Sequence, residues 1–243
     1  MPEPCRHRAG RVPYAVRALL VMLALAFGAA SCERTPAPDA LSTDAPAASK
    51  GRAEIAAVPR IVCLGDSLTA GLGVSPDEAF PALLEERLRA AGYRYEVTNA
   101  GVSGDTSAGA RRRLEWSLGG DVRVLIVALG GNDGLRGLPV QAMRQNLAAI
   151  IEEAQARGIA VLLAGMEAPP NFGPAYTREF RTAYAELAET YGVPFVPFLL
   201  EGVAGVRELN QTDGVHPTGE GQRAIADLLW PELERLLQTL ETG

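Results

Sequence analysis

Residues Ile61-Val-Cys-Leu-Gly-Asp-Ser-Leu68 pass from four apolar side chains to a turn that presents a hydroxyl. A continuous apolar run closed by glycine is the pattern of a strand buried on both faces. In an open α/β sheet the first polar side chains past the carboxyl end of such a strand lie at the ligand crevice. That placement makes Ser67 a candidate nucleophile. The local sequence is Gly-Asp-Ser-Leu-Thr, and Thr69 rules out the Gly-x-Ser-x-Gly elbow, which needs glycine at that position. A Gly-Asp-Ser turn also closes ordinary strands, so the assignment needs partners elsewhere in the chain.

Downstream, apolar periodicity alternates between the two regular structures. Phe80, Leu83, Leu84, Leu88 and Ala91 share one face of a helix predicted over Ala79 to Ala91, closed by Gly92. A more polar strand, Tyr93 to Asn99, is expected near a sheet edge and empties into Ala100-Gly-Val-Ser-Gly-Asp-Thr106. A helix follows from about Ala108 to Leu118, on whose solvated face Arg111, Arg112 and Arg113 are expected. Val122 to Leu129 is the strongest strand signal and belongs in the middle of the sheet. It runs into Gly130-Gly-Asn-Asp-Gly134, then an amphipathic helix over Pro139 to Arg157. A strand at Ala160 to Gly165, a Pro-rich loop at Glu167 to Gly173, and a helix at Ala175 to Tyr191 come next. Pro194 and Pro197 place the fifth strand, Phe195 to Phe198, at an edge. Asp213-Gly-Val-His-Pro217 then precedes a final helix from about Gly219 to Leu240. Strands alternating with helices of this length imply a three-layer α/β/α sandwich around a five-stranded parallel sheet, flavodoxin-like in class.

The amino-terminal region has a different character. Arg6, Arg8, Arg11 and Arg17 precede the apolar run Ala18 to Ala30, too short to span a bilayer comfortably, and the whole reads as an export signal over residues 1–31. Ala29-Ala30-Ser31-Cys32 resembles a bacterial lipobox, which implies a lipid on Cys32. Position 29 is Ala where that pattern usually has Leu, so plain cleavage nearby and a secreted product is the alternative reading. Residues 32–58, rich in Ala, Pro, Ser, Thr and Asp, read as a flexible linker that would tether a domain at 59–243 to a membrane surface. The expected location is the periplasm, at a membrane.

Losing that signal leaves Cys63 and Cys32 as the cysteines and His216 as the sole imidazole. With Cys32 acylated no internal disulfide can form, and Cys63, inside the first strand, reads as a small buried apolar residue. A zinc site built on several His or Cys is excluded, while a carboxylate-only metal site stays open but unsupported. The whole chain carries a net charge of −6; without Arg6, Arg8, Arg11, Arg17 and Glu3 it has 19 Arg and Lys against 28 Asp and Glu. A balance that acidic argues against nucleic acid as a partner.

Parallel strands bring their following turns to one rim, so Ser67, Gly104, Asn132 and the Asp213-His216 pair should gather there. Each supplies something acyl transfer needs. A serine hydroxyl requires a base, and an imidazole, with an ordinary pKa near ~6.5, can take the proton and return it to a leaving group. Asp213, three residues before His216, can fix the ring tautomer, while Pro217 keeps His216 at the helix entrance. Gly104 and Ser67 can offer backbone N–H groups and Asn132 an amide N–H to an oxyanion. Taken singly, Gly104 could simply make a turn, Asn132 cap a loop and Asp213 sit on the surface.

Gly65-Asp66-Ser67-Leu68, Gly104 within Val-Ser-Gly-Asp-Thr, Gly-Gly-Asn132-Asp and Asp213-Gly-Val-His216-Pro resemble the four blocks of the SGNH, or GDSL, hydrolases. The likeness covers about Pro59 to Leu237. Within that family the chain is similar to the bacterial group called thioesterase I, lysophospholipase L1 or arylesterase, through Asn132-Asp-Gly-Leu-Arg-Gly137 and Pro169-Pro-Asn-Phe-Gly173. The resemblance implies catalysis by Ser67, His216 and Asp213, an oxyanion hole of Ser67, Gly104 and Asn132, and no metal or organic cofactor. The substrate is expected to be a carboxylic ester or thioester of a medium or long acyl chain, such as a lysophospholipid, gripped by Leu135, Leu138, Phe172 and Tyr176. The chain is expected to work as a monomer. A carbohydrate or peptidoglycan O-acetylesterase and a non-catalytic lipid-binding lipoprotein are the competing readings.

Overall fold

The run Arg60–Gly65 forms strand β1, buried from Ile61 onward, and the other strands assemble on its two edges. The structure, a computed structural model, describes residues 58–242. The expected export signal and lipid-bearing Cys32 lie outside the described residues, as does the linker apart from Val58. Strands β2 (Glu96–Gly101), β3 (Val122–Ala128), β4 (Ala160–Ala164) and β5 (Phe195–Val196) complete a five-stranded sheet in the order β2-β1-β3-β4-β5. Every pairing is parallel. Within the sheet the path runs from β1 to β2 on one side and returns past β1 to β3, which creates a switch point between β1 and β3 where adjacent connections diverge.

The helices are α1 (Ser67–Ala70), α2 (Phe80–Ala90), α3 (Ser107–Arg112), α4 (Leu114–Ser117), α5 (Gly131–Leu135), α6 (Val140–Ala156), α7 (Pro174–Tyr191) and α8 (Gly219–Thr242). Helix α2 packs on α8, while α3 and α7 pack on α6. Right-handed crossovers place these two groups on opposite faces of the sheet. The core is continuous: Val124 to Val127 of β3 and Leu162 to Ala164 of β4 are fully buried, as are Leu147, Ile150 and Ile151 of α6 and Ile225, Leu229 and Leu233 of α8.

Three boundaries differ from the sequence pattern. Strand β2 starts at Glu96 rather than Tyr93, because Tyr93 turns aside and its ring meets Trp230 of α8 edge-on at 6.5 Å between centroids. The helix expected over Ala108 to Leu118 divides at Arg113 into α3 and α4. Arg113 is also not a solvated surface charge. Its guanidinium donates to the carbonyls of Gly65 (2.9 Å) and Ala100 (2.8 Å) and to Asp105 Oδ2 (2.7 Å), clamping the carboxyl ends of β1 and β2. Strand β5 is limited to two residues, since the flanking prolines have no N–H to extend the ladder.

Candidate active site

Gly65 ends β1 and Asp66 caps α1, its Oδ1 accepting the Leu68 N–H at 3.0 Å. Ser67 therefore stands as the first residue of a single helical turn at the carboxyl rim of the sheet, 8% exposed. Small residues permit this close seating: a Cβ on Gly101 of β2 would fall 2.2 Å from the Ala70 nitrogen. Opposite, the segment before α8 is folded back on itself, with Gln211 N–H donating to the His216 carbonyl at 2.7 Å. The Gln211 side-chain amide donates to the carbonyls of Leu72 (2.7 Å) and Pro217 (2.9 Å), which ties that segment to the exit of α1.

The outcome is a continuous line of hydrogen-bonding atoms. His216 Nε2 lies 3.0 Å from Ser67 Oγ, and His216 Nδ1 lies 2.6 Å from Asp213 Oδ2. Asp213 Oδ1 accepts the backbone N–H groups of Val215 (2.9 Å) and His216 (3.0 Å). The His216 backbone N–H, the His216 ring and the Val215 N–H together hold the Asp213 carboxyl well below the usual carboxylate range. It is thus an anion that keeps a proton on Nδ1 and leaves Nε2 free to accept one.

The three residues expected to donate to an oxyanion, Ser67, Gly104 and Asn132, follow β1, β2 and β3 in turn at the same rim. Gly104 follows β2 with φ +80, a conformation that glycine adopts without strain, and Arg136 Nη2 fixes this loop by donating to its carbonyl at 2.8 Å. Among the described residues, the backbone N–H groups of Ser67 and Gly104 find no acceptor within the protein. Asn132 stands in α5, just past β3, and its Nδ2 donates to Asp66 Oδ2 at 3.2 Å. Asp66 is 3% exposed, and burial raises its pKa from 3.8 to about 6 against the opposing pull of the Leu68 N–H, Asn132 and His216.

Asp66, Ser67, Gly104, Asn132 and His216 open onto one cleft of about 640 Å³. Ser67, Gly104, Asn132 and His216 line its polar end, and Leu72, Leu135, Met166, Pro169, Phe198 and Leu200 line its apolar walls. Of the four residues expected to grip an acyl chain, Leu135 lines the cleft, while Leu138, Phe172 and Tyr176 do not. This corrects the groove read from the sequence. Tyr176 Oη donates to the Leu138 carbonyl at 2.8 Å and its ring lies tilted against Phe172 at 5.4 Å between centroids, so the first turn of α7 is tied to the segment between α5 and α6. Phe198 and Leu200, beyond β5, take their place.

The chain matches the model of the GDSL-like lipase/acylhydrolase family over residues 63–224. It belongs to that family. Among relatives, esterase TesA of Pseudomonas aeruginosa is 44% identical over 183 residues, covering 75% of this chain and 91% of that protein. Thioesterase 1/protease 1/lysophospholipase L1 of Escherichia coli K12 is 38% identical, covering 75% of this chain and 86% of that protein. A crystal structure of TesA superposes with a TM-score of 0.70 at 42% identity, covering 73% of this chain and 99% of that one. Like other GDSL hydrolases, this chain is an α/β enzyme acting on ester bonds.

Several residues that shape this GDSL site are assigned no role by the sequence motifs. Gln222, fully buried in α8, accepts the Phe80 N–H at 2.9 Å and donates to the Leu68 carbonyl at 3.0 Å. It caps α2, which has no side-chain cap of its own, and anchors α1 next to Ser67. The signal was a glutamine on the apolar face of a helix, one turn before Ile225. Asp133, 2% exposed, accepts from Ser107 N (2.8 Å) and Ser107 Oγ (2.6 Å), binding α5 to the start of α3. Behind α5 runs a row of aromatic rings at four-residue spacing, Phe172, Tyr176, Phe180 and Tyr184, with centroids 5.4 to 6.0 Å apart. Its last member donates from Oη to the Leu129 carbonyl at 2.9 Å.

Proposed function

We propose that this chain is a serine esterase that hydrolyses carboxylic esters, and thioesters, of medium or long acyl chains through an acyl-enzyme on Ser67. The observation that carries the reading is the line Asp213 Oδ2, His216 Nδ1, His216 Nε2, Ser67 Oγ, at 2.6 and 3.0 Å. Ser67 Oγ attacks the substrate carbonyl carbon as its proton passes to His216 Nε2, and Asp213 stabilises the imidazolium through Nδ1–H. The carbonyl oxygen, now an oxyanion, is met by the N–H groups of Ser67, Gly104 and Asn132; losing one such donor typically costs about 100- to 1,000-fold in turnover. Collapse of the tetrahedral intermediate breaks the bond to the alkoxide or thiolate, which takes the proton from His216. Water then attacks the acyl-enzyme with His216 as base, and the acid leaves as Ser67 regains its proton.

The apolar walls favour an alkyl chain over a sugar ring, and the names of the TesA and lysophospholipase L1 relatives agree with acyl and lysophospholipid substrates. Ser67→Ala should lower turnover of p-nitrophenyl octanoate on the order of 10⁶-fold; full activity in that variant would refute the mechanism, and no turnover above background in the parent chain would favour a non-catalytic binder. Preference for the acetate over the octanoate and palmitate would instead point to an O-acetylesterase. The basic and apolar amino terminus and the Ala-Ala-Ser-Cys32 sequence support export and a lipid on Cys32. Radiolabelled palmitate should be incorporated by the full chain and lost in Cys32→Ser.

A further inference from the structure

Asn132 can donate to an oxyanion only if its amide nitrogen, and not its amide oxygen, is the atom turned toward Ser67 Oγ. The two ends of an amide have the same shape, so the hydrogen-bond partners must decide between them. Among the described residues one hydrogen bond holds this side chain, from Nδ2 to Asp66 Oδ2. We propose that Asp66 is the positioning residue that sets the polarity of the oxyanion hole: its carboxylate, able only to accept, forces the nitrogen of Asn132 toward itself and toward the cleft. This inference rests on the reading of Asn132 as an oxyanion donor.

The arrangement leaves Asp66 little freedom. Its Oδ1 is taken by the Leu68 N–H, so Oδ2 alone faces Asn132. Gly131 keeps the approach open, since a Cβ there would lie 3.3 Å from Oδ2. An amide nitrogen carries two hydrogens. One is spent on Asp66, and the other is left for the cleft that Asn132 lines. Asparagine at position 66 would reverse this. Its own oxygen must stay on the Leu68 N–H, which puts its NH₂ opposite Asn132, and Asn132 must turn its oxygen to meet it. The atom turned to the cleft would then be an acceptor, repelling the negative charge it is meant to stabilise. Serine at position 66 still caps α1, and its hydroxyl can donate or accept, so it imposes no wrong orientation.

The usual order of conservative and radical substitutions is therefore inverted. With p-nitrophenyl octanoate and the full chain, Asp66→Asn should lower kcat by about 100-fold or more with KM within about 2-fold, the size expected for a lost oxyanion donor. Asp66→Ser should retain kcat within about 10-fold, and Asn132→Ala should fall with Asp66→Asn. Circular dichroism and thermal melts establish that each variant is folded, and should Asp66→Asn fail to fold, Asp66→Ser and Asp66→Ala carry the test, since both must exceed Asn132→Ala in kcat. Equal kcat for Asp66→Asn and Asp66→Ser, or the milder loss in Asp66→Asn, would overturn the role of Asp66 while leaving Asn132 as a donor. An unaltered kcat in Asn132→Ala would overturn both.

Discussion

Replacing Gln222 with leucine tests how far the position of Ser67 depends on a helix at the other end of the chain. Gln222 is fully buried and is the shared partner of the Phe80 N–H and the Leu68 carbonyl. Leucine has nearly the same volume, so no cavity opens, yet both backbone groups lose their partner in a site water does not reach. A buried group left unsatisfied costs about 1–3 kcal/mol, so the two together cost about 2–6 kcal/mol. Leucine avoids dehydrating the glutamine amide, which returns part of that and sets the expected loss at about 2–4 kcal/mol. Urea unfolding should show a lower midpoint with an unchanged slope, and the melting temperature should drop by roughly 4–16 °C for a domain of this size. Because α1 loses its anchor beside the nucleophile, kcat should also fall several-fold at temperatures where the variant is folded. A loss below about 1 kcal/mol, or a normal kcat, would refute the account of Gln222 as the link between α8, α2 and α1.

The remaining expectations concern charge, the cleft and the turn that leads into the helix carrying Asn132. Burial raises Asp66 from 3.8 to about 6, with His216 and Tyr184 as its titratable neighbours and Arg113 on the adjoining Gly65 carbonyl. A folded-state pKa above the unfolded value means this carboxyl favours the folded state below the unfolded pKa, and that contribution is lost as pH rises through about 6. Asp66→Ser should therefore gain stability relative to the parent between pH 4 and pH 8, on the order of 3 kcal/mol, read from melts at both values. Phe198→Ala should shift preference toward longer or bulkier acyl groups by several-fold in kcat/KM on a p-nitrophenyl ester series, whereas Phe172→Ala should leave that preference unchanged and lower the melting temperature. Gly130→Ala should cost at least ~2 kcal/mol and depress kcat, because Gly130 has φ +107 and a Cβ there would fall 1.9 Å from Tyr184 Oη.

The sequence by itself determined the layers and the rim. Apolar runs such as Ile61 to Leu64 and Val124 to Leu129, separated by amphipathic helices, admit few arrangements other than a parallel sheet covered on both faces. Polar turns after those strands must then meet at one edge. Ser67, Gly104, Asn132, Asp213 and His216 could be named because period and chain direction are local properties that a linear reading preserves. Tertiary structure alone decided what holds them and what faces them. Arg113 reads as one of three surface arginines until two strand ends present their carbonyls to it, and Gln222 reads as a helix residue until α1 and α2 arrive on either side. Phe172, at the end of the Pro-rich loop, and Tyr176, in the first turn of α7, sit where a pocket wall would, yet their rings meet each other and Tyr176 bonds the Leu138 carbonyl, while Phe198 and Leu200 line the cleft. The physical reason is common to all three: a side chain's partner across space depends on which atoms the completed fold leaves unsatisfied, and that is not written in the spacing of residues along the chain.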